Sequence, residues 1–155
     1  MPSAEPAAAR GTVIVSGLVS DAHTWNLVFL QLLLEEQGYR VVNLGPCVPE
    51  QLLVDECARL APTLVVLSSV NGHGYADGLR AIAALRAAPE LAGLPVVIGG
   101  KLGVSDDDSG RARELAEAGF DSVFTGGPDE LTQFAGYLTR LRPGSAPADA
   151  PAVAA

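Results

Sequence analysis

The spacing of apolar residues constrains this chain most. Five short, continuous apolar runs stand at Thr12–Gly17 (TVIVSG), Arg40–Gly45 (RVVNLG), Thr63–Ser69 (TLVVLSS), Pro95–Gly100 (PVVIGG) and Ser122–Gly127 (SVFTGG), and longer amphipathic stretches separate them. Runs of this length bounded by turn residues read as strands buried on both faces, with helices covering them. Helices are expected at roughly Asn26–Gln37, Pro49–Leu60, Tyr75–Ala87, Ser109–Ala118 and Pro128–Leu141. Gly38 and Gly119 fall just past helix ends, where left-handed backbone is wanted, and Pro49 and Pro128 suit a first helical turn. The pattern predicts one α/β domain, a doubly wound, flavodoxin-like or Rossmann-like parallel sheet of five strands in the order 2-1-3-4-5.

Length and composition agree with a single well-packed domain. The chain has 155 residues, of which 48% are hydrophobic and only 18% charged, which excludes general disorder. The domain is expected over residues 11–142, between an Ala/Pro-rich tail at 1–10 and a second tail at 143–155 (PGSAPADAPAVAA). A net charge of −8 without a basic patch argues against nucleic acid as a partner. No apolar stretch reaches the roughly twenty residues that span a bilayer, and the first residues lack the regions of a secretory signal, so neither membrane nor export is expected and the cytoplasm is the default. Cys47 and Cys57, ten residues apart with no histidine nearby, do not make a structural zinc site and read as reduced, mostly buried thiols.

In a doubly wound sheet, ligands sit beyond the carboxyl ends of the strands, beside strand 1. There the loop Leu18-Val19-Ser20-Asp21-Ala22-His23-Thr24-Trp25-Asn26 places an acid two residues before a histidine. A metal-bound imidazole works best when its other ring nitrogen donates to a carboxylate, which fixes tautomer and orientation and raises ligand basicity. The competing reading is a polar loop in which Asp21 caps the next helix and His23 is merely exposed. With no second histidine or cysteine close by, a one-ligand role calls for a cofactor that brings its remaining ligands, such as haem or a corrinoid. Strand 3 ends in Ser68-Ser69-Val70-Asn71-Gly72-His73-Gly74, which sets hydroxyls on the same rim, for ligand binding or for filling space and capping; His73 reads as a solvent-facing loop residue. Gly99-Gly100 and Gly126-Gly127 end strands 4 and 5, where they admit a ligand close to the backbone or serve turn geometry.

Taken in order, Asp21-x-His23, Ser68-Ser69-Val70 and Gly99-Gly100 resemble the cobalamin-binding family signature Asp-x-His-x-x-Gly, Ser-x-Leu (or Val), Gly-Gly. The segments Ser20–His23, Gly38–Gly45, Pro49–Leu52 and Leu67–Gly74 are most similar to those of the small (sigma) subunits of glutamate mutase, also called methylaspartate mutase. The resemblance implies adenosylcobalamin bound base-off and histidine-on, with His23 as the lower cobalt ligand in the loop Ser20, Asp21, Ala22, His23, Thr24. It implies that Ser68, Ser69 and Val70 contact the nucleotide tail, that Gly99 and Gly100 give it passage, and that Lys101, Leu102, Gly103 and Val104 line the neighbouring loop. No catalytic residue beyond the cobalt ligand is expected. The resemblance further implies a chain that is inactive alone and acts with a large barrel-type subunit, as a heterotetramer of two small and two large subunits, to interconvert L-glutamate and 3-methylaspartate.

A corrinoid carrier for methyl transfer and a cobalamin-based regulatory module are the rival readings. The first usually has a helical module ahead of the domain, and none precedes Thr12; the second should carry an output domain. A cofactor-free receiver-like domain fits poorly, because strand 1 lacks a terminal acidic pair and Ser68 and Ser69 stand where strand 3 would carry the phospho-acceptor aspartate. One departure from the family is plain: the motif glycine three residues after the histidine is here Asn26, which adds a side chain where the tail would pass. Trp25, the only tryptophan, is expected to pack in the core or at an interface.

Overall fold

The computed structural model describes residues 10–101 and 108–141. The two expected tails, apart from Arg10, and the candidate positions Leu102, Gly103 and Val104 lie outside these residues. The strands are β1 (Thr12–Gly17), β2 (Arg40–Gly45), β3 (Leu64–Ser69), β4 (Val96–Gly100) and β5 (Ser122–Phe124), and the helices are α1 (Trp25–Glu36), α2 (Glu50–Leu60), α3 (Gly74–Ala87), α4 (Asp108–Ala118) and α5 (Glu130–Arg140). All strand pairs are parallel and the order is β2-β1-β3-β4-β5, as the sequence pattern predicts. A short 3-10 turn, Pro89–Leu91, leads into β4.

The boundaries differ where prolines and glycines stand. Pro49 is the residue before α2 and not its first turn, and β5 stops at Phe124 because Gly126 and Gly127 adopt positive φ. Gly38 and Gly119 do take the left-handed backbone expected of them. Asp21 does not cap α1; Thr24 precedes that helix without a side-chain cap. Cys57 is buried as expected, but Cys47 is exposed, in the loop after β2, at a left-handed φ of 54°.

Side chains alternate across a strand, so the sheet builds two cores. Ile14, Val65, Leu67, Val96 and Ile98 face α2, α3 and α4, where they pack with Leu53, Cys57, Ile82, Leu85 and Leu115. Val13, Val15, Leu64, Val66 and Val97 face α1 and α5, with Leu27, Leu34, Phe124, Phe134 and Leu138. Burial pushes the Cys57 thiol up to about 12, so it stays a protonated apolar side chain. The same parity carries on to the strand ends, setting Ser68 and Gly99 toward α1 and α5, and Ser69 toward the other layer.

The amino ends of β4 and β5 are clamped by one side chain. Arg86, on α3, donates to the carbonyls of Leu91, Ala92, Leu94 and Gly119 and to the Asp121 carboxylate, whose Oδ2 also accepts from the Val96 backbone N–H. At the opposite edge, β4 passes so close to β3 that a Cβ on Gly100, at φ +109°, would lie 2.1 Å from the Ser69 carbonyl oxygen. Gly100→Ala is therefore expected to cost about 3 kcal/mol in urea unfolding, combining backbone strain with a forced shift of β3. Gly126→Ala, at φ +93° but with nothing within 4 Å of the new methyl, is expected to cost about 1 kcal/mol.

Candidate functional site

The loop between β1 and α1 meets the end of β3 through the Asp21 carboxylate, which is almost fully buried. Its Oδ2 accepts from the Val70 backbone N–H at 2.7 Å and from the Ser69 hydroxyl at 3.1 Å. Its Oδ1 accepts from the His23 backbone N–H at 3.0 Å and lies 2.7 Å from His23 Nδ1. Burial alone would raise the Asp21 pKa, but the backbone N–H groups of His23 and Val70, joined by the His23 and Ser69 side chains, hold it below the ordinary carboxylate value. The carboxylate therefore stays ionised and takes a proton-bearing Nδ1 as its partner. That tautomer leaves Nε2 with its lone pair, and Nε2 has no hydrogen-bond partner among the described residues.

The rest of the loop is tied down from three elements. The Asp21 N–H donates to the Leu18 carbonyl, and the Asp21 carbonyl accepts from the Cys47 N–H at 3.0 Å, which couples the loop to β2's exit. Asp77, buried on α3, accepts from both the backbone N–H and the hydroxyl of Ser20 and is itself paired with Arg80. Asn71 donates to the Ser20 carbonyl at 2.9 Å, while its own Oδ1 accepts from Ser69 and the His73 N–H. His23 is thus held at its base while its side chain remains 60% exposed. Ala22 and Thr24 flank it, exposed.

Beside this loop, a cleft of about 160 Å³ opens between α1, α5 and the ends of β3 and β4. Its walls are mostly apolar, from Phe29, Leu30, Val66, Phe124, Leu131 and Phe134, with Asn26, Ser68 and Glu130 as polar points and Gly99 and Gly100 bare of side chains. Asn26 Nδ2 donates to the Ser68 hydroxyl at 2.7 Å, while its buried Oδ1 has no partner among the described residues. Glu130 Oε2 accepts from the backbone N–H of Gly126 at 3.1 Å and of Gly100 at 3.4 Å, so one carboxylate joins the two glycine turns. Among the described residues, no group of three or more His, Cys, Asp or Glu side chains could hold a metal ion.

Of the residues singled out in the sequence, Ser20, Asp21, His23, Ser69 and Val70 meet in one hydrogen-bonded cluster, and Ser68, Val70, Gly99 and Gly100 line the cleft. The Ser69 hydroxyl is spent on Asp21 and Asn71, not turned to the cleft. Lys101 is exposed at its edge, and His73 is exposed as expected. Trp25 is 84% exposed, so the core role expected for it is excluded. Asp77, Asn71, Cys47 and Glu130 support the site without having been picked out. An acid in the first turn of a helix was the only available signal for Glu130.

An apolar helix-to-sheet cleft thus lies beside a carboxylate-held, exposed imidazole at the carboxyl edge of the sheet, the place where a domain of this architecture binds its ligand. The chain belongs to the B12 binding domain family, whose sequence model matches residues 11–135. It is 33% identical to the glutamate mutase sigma subunit 2 of Haloarcula marismortui over 76% of this chain and 79% of that protein. To the glutamate mutase sigma subunit of Escherichia coli O157:H7 it is 28% identical, over 74% of this chain and 77% of that protein. In fold it resembles a cobalamin-binding protein from Desulfitobacterium hafniense DCB-2, with a TM-score of 0.67 and 21% identity over 84% of this chain, and it spans 60% of that longer chain. A receiver domain of a histidine kinase from Syntrophus aciditrophicus gives a TM-score of 0.64 at 18% identity, over 94% of this chain and 98% of that one, so the fold alone does not select the ligand.

Asp21→Ala would remove the acceptor shared by four donors, the Val70 and His23 backbone N–H groups, the Ser69 hydroxyl and His23 Nδ1, and is expected to cost about 3 kcal/mol in chemical unfolding. The pH dependence has a definite sign. Because the folded pKa lies below the unfolded one, the contribution of Asp21 is complete above the ordinary carboxylate range and is lost as pH falls through the lowered folded value. Unfolding of Asp21→Asn, followed from pH 7 down to pH 2, is expected to show a shallower acid slope than the parent chain.

Proposed function

We propose that this chain is the cobalamin-binding small subunit of an adenosylcobalamin-dependent carbon-skeleton mutase of the glutamate mutase type, with His23 as the lower cobalt ligand. The observation that carries the reading is the His23 ring, fixed through Nδ1 on a buried, ionised Asp21 while the side chain stays exposed and its opposite nitrogen has no partner among the described residues. A corrinoid would bring most of its metal's ligands with it, so a single protein imidazole, His23, would be enough to hold the metal from this chain. The residues fit that group: the apolar cleft starting at Ser68 and Val70 suits an inserted nucleotide tail, and bare Gly99 and Gly100 leave backbone open to it, while the Asn26 side chain, tied to Ser68, narrows the way in. Ser68 and Val70 would touch the tail; Ser69, through Asp21, would position the ligand.

When bound, adenosylcobalamin supplies radical chemistry by homolysis of its cobalt–carbon bond. This chain's own residues bind and orient. Asp21 holds the His23 proton on Nδ1 and offsets positive charge gained by the imidazole, while Asp77 and Asn71 keep the loop in place by holding Ser20. Among the described residues no cationic side chain lines the cleft, which gives the two carboxylates of an amino-acid substrate such as L-glutamate no partner there. We assign that task to a separate large, barrel-type subunit, paired two to two with this chain, and the reaction to interconversion of L-glutamate and 3-methylaspartate. The sigma-subunit relatives support that assignment.

Titration of the purified chain with adenosylcobalamin is expected to give a base-off, histidine-on absorption spectrum, and His23→Ala is expected to abolish the histidine-on features. An identical spectrum in the variant would sink the assignment. Asn26→Gly restores the family glycine and removes the hydrogen bond that ties the cleft wall to Ser68. It is expected to tighten binding of cobalamin about fivefold, the equivalent of about 1 kcal/mol for one hydrogen bond, and to leave binding of tail-less cobinamide unchanged.

A further inference from the structure

Ser20 is an exposed loop residue, yet all three of its polar groups are taken up by side chains from elsewhere in the fold. Its backbone N–H donates to Asp77 Oδ2 at 3.2 Å, its hydroxyl donates to the same oxygen, and its carbonyl accepts from Asn71 Nδ2 at 2.9 Å. Water would satisfy an exposed serine equally well, whereas taking a carboxylate out of water is costly. Asp77 is only 4% exposed and reaches Ser20 from 57 positions away in the chain. A buried charge is a poor device for stabilising one exposed residue. What it does fix is the place of the loop.

Asp77 is itself held firmly. Its Oδ1 accepts from Arg80, one turn further along α3, and Arg80 Nε lies 3.7 Å from Glu50 Oε2 in the first turn of α2. Gly78, the next residue, stands so close to the sheet that a Cβ there would lie 2.8 Å from Ile98 Cδ1, which fixes the distance between α3 and β4. Ser20, in turn, is bonded directly to Asp21, the carboxylate that sets the imidazole. The loop is thus anchored by Asp77 just ahead of Asp21, and by Ser69 and Val70 at Asp21 itself. We infer that Asp77 is a positioning residue for His23: acting through Ser20, it holds the loop in the form in which His23 can ligate a metal, and it raises affinity for cobalamin without touching it. Its effect on cobalamin rests on His23 being the lower cobalt ligand; its effect on the loop does not.

Two measurements separate these parts. In the chain without cofactor, Asp77→Ala is expected to speed hydrogen exchange of the His23 backbone N–H, which donates to Asp21, about tenfold. With adenosylcobalamin, the same variant is expected to bind about tenfold more weakly and to show a smaller histidine-on fraction at saturation. Asp77→Asn, which keeps an oxygen for Ser20, is expected to recover most of both losses. Arg86→Lys, which loosens the scaffold at the other end of the strands, is expected to lower the urea midpoint while leaving His23 exchange, affinity and spectrum at parent values. A purely stabilising role would make Asp77→Ala behave like Arg86→Lys, and that result would overturn the inference. So would faster His23 exchange with undiminished affinity. Should Asp77→Ala not fold, Ser20→Ala removes one of the two donors to Asp77 and is expected to give about threefold in each measurement; parent values in both would be equally fatal. A parent chain with no histidine-on spectrum, in which His23 exchange still responds to Asp77→Ala, would refute the cobalt-ligand assignment and uphold the positioning of the loop.

Discussion

One carboxylate organises the functional rim. Asp21 lies beyond the carboxyl ends of the neighbouring strands β1 and β3, where the strand order reverses and an open α/β sheet parts and admits a ligand. By accepting from Val70 and Ser69 on one oxygen and from His23 on the other, it closes that parting and at the same time sets the imidazole. Its cost of burial is offset by hydrogen bonds from both sides, so structural and chemical roles cannot be separated at this residue. The histidine's freedom at the opposite nitrogen depends on Asp21 taking Nδ1.

The sheet was legible because five apolar runs can be buried in few ways, and parallel strands covered on both faces leave little choice of order. The site was legible in part. Asp21 and His23 are near neighbours in the chain, so their pairing has a local signature, and Gly99-Gly100 shows as an absence of side chains. Residues that act across the fold left none. Asp77 reaches Ser20 over 57 positions, Asn71 reaches it over 51, and Glu130 reaches Gly100 over 30. Ser68 and Ser69 look equivalent in sequence, but strand alternation sends one to the cleft and the other to Asp21. Trp25 was misjudged as a possible core residue because an all-apolar helix does not reveal which of its faces meets the sheet.

Helix α1 carries three demands at once. Its inner face completes the core, its first turn brings Asn26 to the cleft, and its outer face leaves Trp25 bare. Asn26 links the first two: its amide is anchored to Ser68, so any displacement of the helix start is felt at the end of β3.

The Arg86 clamp holds the strands at the end away from the functional rim. Four carbonyls and a carboxylate are gathered by one guanidinium at the amino edge of β4 and β5, far along the strands from His23. Stability and chemistry are thereby housed at opposite ends of the same strands. The loops beyond the carboxyl ends can therefore change their chemistry without loosening the scaffold beneath, and a receiver domain with the same architecture shows how little the scaffold says about the ligand.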